Sequence, residues 1–428
     1  MSVRYGRSEE QLERARRTVP LGAQTFSKSV TQYPLGVSPY FADRGKGSRL
    51  WDVDGNEYID YINALASVTL GYCDPDVDGA VRAQLDQGTI FSLSHRLESE
   101  VAEMICELVP SAEMVRFGKN GSDATSGAIR VARAFTGREH VIACGYHGWQ
   151  DWYIGATARN RGVPNATREL THIVPYNDSA ALERELEERT GQVAAIIMEP
   201  MNVVYPAEGY LAAVRALATK HGAVLVFDET ITGFRLARGG AQELFGVTPD
   251  LTTLGKGVAN GYPLSVVCGR RDMMMEMEEI FFSFTMGGET LSLAAALATM
   301  KKIVDEPVIA TMGERGARLK AGLEARLKRH RADFLTLSGH PAWSFLTFAD
   351  AAGATQWEIK TLWLQEMFER GILSLGTHNI SYAHSTEDID RLLAVYDEVL
   401  PFIAAAVRDG AVRQYLRCEP LVPLFRVR

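Results

Sequence analysis

Residues 251–263, LTTLGKGVANGYP, run as a short apolar segment into Gly255-Lys256-Gly257 and then into Asn260-Gly261-Tyr262-Pro263. The apolar run predicts a buried strand, and the flanking glycines permit a sharp turn with room beside the lysine for a flat ligand. In an open α/β fold such a turn lies at the carboxyl edge of the sheet, where ligands bind. A solvated surface lysine needs no glycine on either side. An amine that attacks a carbonyl carbon must be desolvated enough to be partly neutral. Gly255 to Gly261 also spells GxGxxxG. A dinucleotide loop would need a helix opening on the second glycine, and the Asn-Gly-Tyr-Pro cluster breaks any helix within a turn.

Outward from this stretch, short apolar runs alternate with segments of helical period, the pattern of β-α units feeding a mostly parallel sheet. Strands are expected at 141–144, 194–198, 223–227 and 265–269, and helices at 123–135 and 209–221. In the first helix Ala124, Ala128, Ile129, Ala132 and Phe135 recur on one face. Residues 50–61, LWDVDGNEYIDY, place Asp-Gly turn chemistry between aromatic-rich runs, a hairpin signature. Ser385 with Asp388 three residues later predicts a capped helix carrying Ile389, Leu392, Leu393, Tyr396 and Val399. No Pro-rich linker separates these regions. We therefore expect a large central domain over 66–315 and a small α+β domain built from 1–65 and 316–428.

Three further segments end expected strands or open expected helices with polar side chains. Asp228-Glu229-Thr230 follows the apolar run 223–227. An acid there is costly unless paired; it either caps the turn or faces a protonated heteroaromatic nitrogen. Gly121-Ser122 precede a helix expected to begin near Asp123, so backbone N–H groups, the Ser122 hydroxyl and the positive helix end form an anion site. Ser122 or Asp123 acting as a plain cap is the alternative. Asp123 is expected to turn away from any anion. Gly145-Tyr146-His147-Gly148 follows the strand 141–144, and Tyr146 either stacks on a flat ring or packs in the core.

Composition narrows the classes. The chain has 428 residues, 46% hydrophobic and 23% charged, with a net charge of -8. That balance suits a soluble protein with a large core and would repel a phosphate backbone, so nucleic acid is not an expected partner. No run of eighteen apolar residues predicts a membrane helix, and the arginine- and glutamate-bearing N-terminal stretch offers no secretory signal. A cytoplasmic setting is expected. Five cysteines lie far apart without CxxC or metal-type spacing, and no metal is expected.

Together these segments resemble the class III aminotransferases of the pyridoxal phosphate (PLP) fold type I, most closely the glutamate-1-semialdehyde aminomutase branch. The resemblance rests on RGKGSRLWDVDGNEYIDY from Arg44, NGSDATSGAIRVARAFTGR from Asn120, GYHG from Gly145, MEP from Met198, FDETITGFR from Phe227 and LGKG from Leu254. It implies a mostly parallel sheet flanked by helices and pyridoxal 5'-phosphate as cofactor. Lys256 would hold the cofactor as a Schiff base, Asp228 would pair with its ring nitrogen, and Gly121 and Ser122 would hold its phosphate. Tyr146 would cover one ring face, Thr230 the other, and Glu199 would lie near the substrate side. The resemblance also implies a homodimer with shared sites. There a threonine, Thr285 in the altered segment TMGGET, reaches the neighbour's phosphate.

The implied reaction is ping-pong transfer of an amino group from a donor, glutamate or another amino acid, to an aldehyde or ketone. Two departures weigh against aminomutation. Where the aminomutases carry an arginine for the substrate carboxylate, residues 23–28 (AQTFSK) align Lys28. A lysine cannot make the planar two-bond grip. The late segment that supplies a gating acid in the aminomutases is shortened to 371–385 (GILSLGTHNISYAHS), with no glutamate. We therefore expect transamination of a carbonyl acceptor, sugar-like or otherwise hydroxylated, touched by polar groups such as Lys28, Thr377, His378 and Asn379. The alternatives are the aminomutase itself and, from another class, a nicotinamide-dependent oxidoreductase.

Overall fold

The structure, a computed structural model, describes residues 3–422. Its described residues divide into two compact units: one from 3–65, Leu70–Asp74 and 310–422, the other from Ala66–Thr69 and Pro75–Ile309.

In the second unit, apolar runs between helices become a seven-stranded sheet: β1 (Met114–Gly118), β2 (His140–Cys144), β3 (Thr171–Ile173), β4 (Val193–Met198), β5 (Val224–Asp228), β6 (Leu251–Leu254) and β7 (Ser265–Gly269). Their order is β1-β7-β6-β5-β4-β2-β3. Adjacent strands from β6 to β3 pair in parallel, with Asp228 opposite Thr253 and Met198 opposite Phe227. Four of the six strand pairings are parallel and helices lie on both faces, the mostly parallel, helix-flanked sheet that the resemblance implied. One strand departs from the β-α pattern: β7 runs antiparallel to both β6 and β1. Only ten residues separate Leu254 from Ser265, too few for the crossover that a parallel neighbour needs.

Strands β2, β4, β5, β6 and β7 are buried on both faces, so largely apolar residues fill successive positions instead of alternating with polar ones. Ala143, Ala195, Ile197, Val224 and Val226 join one apolar cluster with helix α1 (Gly121–Thr136), which contributes Ala124, Ala128, Ile129 and Ala132. Ile142, Ile196, Leu225 and Phe227 join another with helix α2 (Tyr210–His221), through Leu211 and Val214. Each Val, Leu, Ile or Phe among these contributes about 1.5–3 kcal/mol on full burial. Phe135, expected on the buried face of α1, is instead substantially exposed near its C-terminus.

The first unit holds the expected hairpin, Arg49–Asp52 antiparallel to Glu57–Asp60, and a three-stranded sheet that includes Thr377–Asn379. The helix Thr386–Arg408 opens on Ser385 with the expected reciprocal cap: the Asp388 N–H donates to Ser385 Oγ, and the Ser385 N–H donates to Asp388 Oδ2. No helix among the described residues is long and apolar enough to cross a membrane.

Candidate active site

At the carboxyl ends of β2, β4, β5 and β6 the second unit encloses a cavity of about 410 Å³. Lys119, Gly121, Ser122, Tyr146, His147, Glu199, Asp228, Thr230 and Lys256 are among its lining residues.

Lys256 follows β6 directly, with φ +41 at the start of a 3-10 turn, Lys256–Ala259. That left-handed angle is costly for a side chain bearing a Cβ. The neighbours make it possible: a Cβ on Gly255 would meet Thr230 Cγ2 at 3.1 Å, and one on Gly257 would meet Thr69 Oγ1 at 2.4 Å. Asn260, at φ +46, and Gly261 then end the turn. Burial pulls the Lys256 amine below the usual lysine range, against the opposing pull of Glu199 and Asp228.

Asp228 ends β5 and is 5% exposed. Its Oδ1 accepts from the Thr230 N–H (3.1 Å), Thr230 Oγ1 (2.6 Å) and Thr253 Oγ1 (3.0 Å). Its Oδ2 lies 2.8 Å from His147 Nδ1. His147 Nε2 in turn lies 3.1 Å from the Cys144 carbonyl oxygen. Since that carbonyl can only accept, Nε2 donates to it, which leaves Nδ1 facing the carboxylate. Burial would raise the Asp228 pKa, but the His147 and Thr230 bonds outweigh it and hold the carboxyl below its ordinary value. Among the described residues Oδ2 has only that one partner, and Asp228 lines the cavity.

The Gly121–Ser122 turn expected to hold an anion opens α1. Asn120 caps this helix, with its Oδ1 accepting the Asp123 N–H, so the helix begins two residues earlier than the sequence indicated. Asp123 turns back as expected: Oδ2 accepts the Lys119 and Asn120 N–H groups. The opening of the helix thus leads with Gly121 and Ser122, and Ser122 Oγ accepts the Trp149 N–H at 3.2 Å. Gly148 (φ +100) lets the facing loop approach, since a Cβ there would stand 2.2 Å from Ser122 Oγ. Thr230 sits between the anion turn and the lysine turn, its methyl 3.2 Å from where a Gly121 Cβ would lie.

Tyr146 is 51% exposed on the cavity wall, edge-on to Tyr153, and its N–H donates to Glu199 Oε2 at 3.0 Å. Asn202 Nδ2 donates to the same oxygen at 2.6 Å. Burial raises the Glu199 pKa.

The remaining candidates lie elsewhere. Thr285 is exposed in the turn before helix α3 (Thr290–Asp305) and does not line the cavity. Lys28 belongs to the first unit, where it lines another cavity with Tyr33, Arg44 and Asp60. His378 is fully buried in that unit, with one ring nitrogen 3.0 Å from Ser344 Oγ and the other 2.9 Å from Tyr396 Oη; burial pulls its pKa down to about 3. Both nitrogens are committed to the core. His147 is the residue that sequence reading passed over; its one signal was its place beside Tyr146 at a strand end.

Comparison with known proteins matches the same elements. The family described as Aminotransferase class-III matches residues 32–379. The chain is 36% identical over 419 residues to a glutamate-1-semialdehyde 2,1-aminomutase of Syntrophobacter fumaroxidans, covering 90% of this chain and 95% of that protein. It is 34% identical over 397 residues to a 3-aminobutyryl-CoA aminotransferase of Cloacimonas acidaminovorans, with the same coverage. Among solved structures, the PLP internal aldimine form of the FumI protein of Sphingopyxis sp. MTA144 superposes with a TM-score of 0.87 at 30% identity, over 97% of this chain and 98% of that one.

Proposed function

Because this chain belongs to the class-III aminotransferases, we propose that it is a PLP-dependent enzyme that moves an amino group from an amino acid to an aldehyde or ketone. One observation carries the reading: an amine, a carboxylate and a helix-end anion turn all line one cavity.

The residues fit the cofactor. Gly121 and Ser122 offer N–H groups and a hydroxyl to a phosphate. The Asp228 carboxylate suits a protonated ring nitrogen, and Tyr146 and Thr230 supply the walls for a flat ring. When bound, PLP supplies an electron sink conjugated to the reacting carbon. Lys256 would hold it through Nζ, and the same amine, once free, would take a proton from the donor carbon and later return one to the product. Its lowered pKa keeps a fraction neutral for that work. Asp228 holds the proton on the ring nitrogen, and His147, held by the Cys144 carbonyl, fixes the carboxylate's orientation. Glu199 stands near the substrate side.

The reading includes a homodimer in which Thr285 reaches the neighbour's phosphate, a cytoplasmic setting, glutamate as donor and a hydroxylated carbonyl acceptor. Lys28 is a substrate contact in this reading, whereas His378 is not, because its ring is already bonded on both sides. A second reading, the 2,1-aminomutase, is favoured by the Syntrophobacter relative.

Borohydride reduction of the PLP-loaded protein followed by peptide mapping should find the ring on Lys256. Adding glutamate should then bleach the visible band, and a carbonyl acceptor should restore it. Attachment at another residue, or a band indifferent to every amino donor, contradicts the proposal. Efficient isomerisation of glutamate semialdehyde alone would favour the aminomutase.

A further inference from the structure

Two lysines line the cavity among the described residues, Lys119 and Lys256. Lys256 is engaged at the ring side in the reading above, on which this inference rests. Lys119 stands two residues before Gly121, at the opening of the anion turn. Its N–H donates to Asp123 Oδ2 at 3.0 Å, which fixes its backbone to the first turn of α1.

Its side chain reaches towards the opening of α3. Lys119 Nζ lies 3.1 Å from Glu289 Oε2 and 3.4 Å from Ser292 Oγ, with the two charged side chains 20% and 19% exposed. Glu289 caps α3, its Oε1 accepting from the Leu291 N–H and its Oε2 from the Ser292 N–H and hydroxyl. Burial would raise the Glu289 pKa, but the bonds from Ser292 and Lys119 outweigh it, so this carboxyl is ionised at neutral pH. An ammonium has three protons. Two point at Glu289 and Ser292, which leaves one for a further acceptor, and the cavity wall includes Lys119 but not Glu289.

A phosphate dianion binds to more than a helix terminus, which contributes only about half an elementary charge. We propose that Lys119 is an additional anion-binding residue of the cofactor site, its ammonium supplying positive charge beside the Gly121–Ser122 turn, with Glu289 as the counter-ion that competes for it. The pair explains the altered TMGGET segment: its glutamate caps α3 and holds the lysine near the turn while the anion is away.

The test uses the full-length protein, with and without PLP, and two readouts: PLP affinity from titration of the visible band, and thermal stabilisation of the cofactor-free protein by inorganic phosphate. Lys119→Met should weaken both by about tenfold or more, as expected for loss of one charge-assisted bond. Lys119→Arg should retain most of the binding. Glu289→Gln keeps an oxygen to cap α3 but removes the competing charge, so it should tighten both, and the double variant should resemble Lys119→Met. Unchanged binding in Lys119→Met, or weakening by Glu289→Gln, overturns the proposal; the latter reduces the pair to a structural clasp. Should Lys119→Met fail to fold, the direction of the Glu289→Gln effect decides. If wild type shows no borohydride-trapped ring at Lys256 yet phosphate stabilisation still needs Lys119, the cofactor reading fails and the anion site stands.

Discussion

Replacing Asp228 by asparagine should separate the group's chemical role from its structural one. The side chain is buried, and Oδ1 takes three donors, from Thr230 twice and Thr253 once. An asparagine Oδ1 can accept all three. Its Nδ2 would take the place of Oδ2, opposite His147 Nδ1. His147 can then accept at Nδ1 while Nε2 still donates to the Cys144 carbonyl. No buried donor or acceptor is stranded, so the stability cost should stay within about 1–2 kcal/mol. Asp228→Ala, by contrast, strands those donors and a buried imidazole and should cost about 3–5 kcal/mol. The cofactor sees the reverse, because Nδ2 is a donor and cannot hold a proton on the ring nitrogen. Losing a directly paired carboxylate lowers a partner's pKa by about 2–3 units, or roughly 3–4 kcal/mol. That corresponds to about a hundredfold to a thousandfold loss in the first half-reaction. Single-turnover bleaching of the cofactor band by a saturating amino donor measures the rate, and thermal unfolding measures stability. If Asp228→Asn reacted within tenfold of wild type, the carboxylate would not be what supports the ring nitrogen. If it unfolded as readily as Asp228→Ala, the hydrogen-bond assignment would be wrong.

Gly148→Ala forces a left-handed residue and a Cβ 2.2 Å from Ser122 Oγ and 3.1 Å from Ser122 Cα, so it should destabilise by about 2–5 kcal/mol and loosen cofactor retention on dialysis. Wild-type stability with undiminished retention would show that the loop yields easily. The Lys256 amine has a folded pKa below its ordinary 10.5, so the folded protein binds fewer protons than the unfolded chain across that window. Cofactor-free stability attributable to this group should therefore rise with pH from the lowered value up to about the ordinary one. Lys256→Met should be more stable than wild type at neutral pH and lack that rise; urea titrations across pH check it, and an unchanged slope counts against the assignment. Ser385→Ala should cost about 1 kcal/mol, the usual loss of a cap. Asp388→Ala should cost more, because Asp388 also takes Ser48 Oγ at 2.7 Å and pairs with Arg49 at 2.7 Å. Equal midpoints for the two variants in thermal unfolding would show that the Arg49 pair contributes nothing.

The sequence by itself determined the features that short-range chemistry dictates. A lysine between glycines after an apolar run, an acid at the end of another and Gly-Ser at a helix start are each legible because turn geometry and capping act over a few residues. The same locality made the hairpin at 50–61 and the Ser385 cap readable. Tertiary structure alone decided which of these groups meet. His147 and Asp228 are 81 positions apart and touch because β2 and β5 both flank β4 and end on the same side of the sheet. Lys119 finds Glu289 across 170 positions. Thr230 fits between Gly121 and Gly255 only once three strand ends converge. His378 looked like a polar loop residue, but pairing with Ser344 across a small sheet turned it into the core. Such partnerships follow from strand order and direction, which long-range burial of apolar faces selects, and no window of neighbouring residues encodes them.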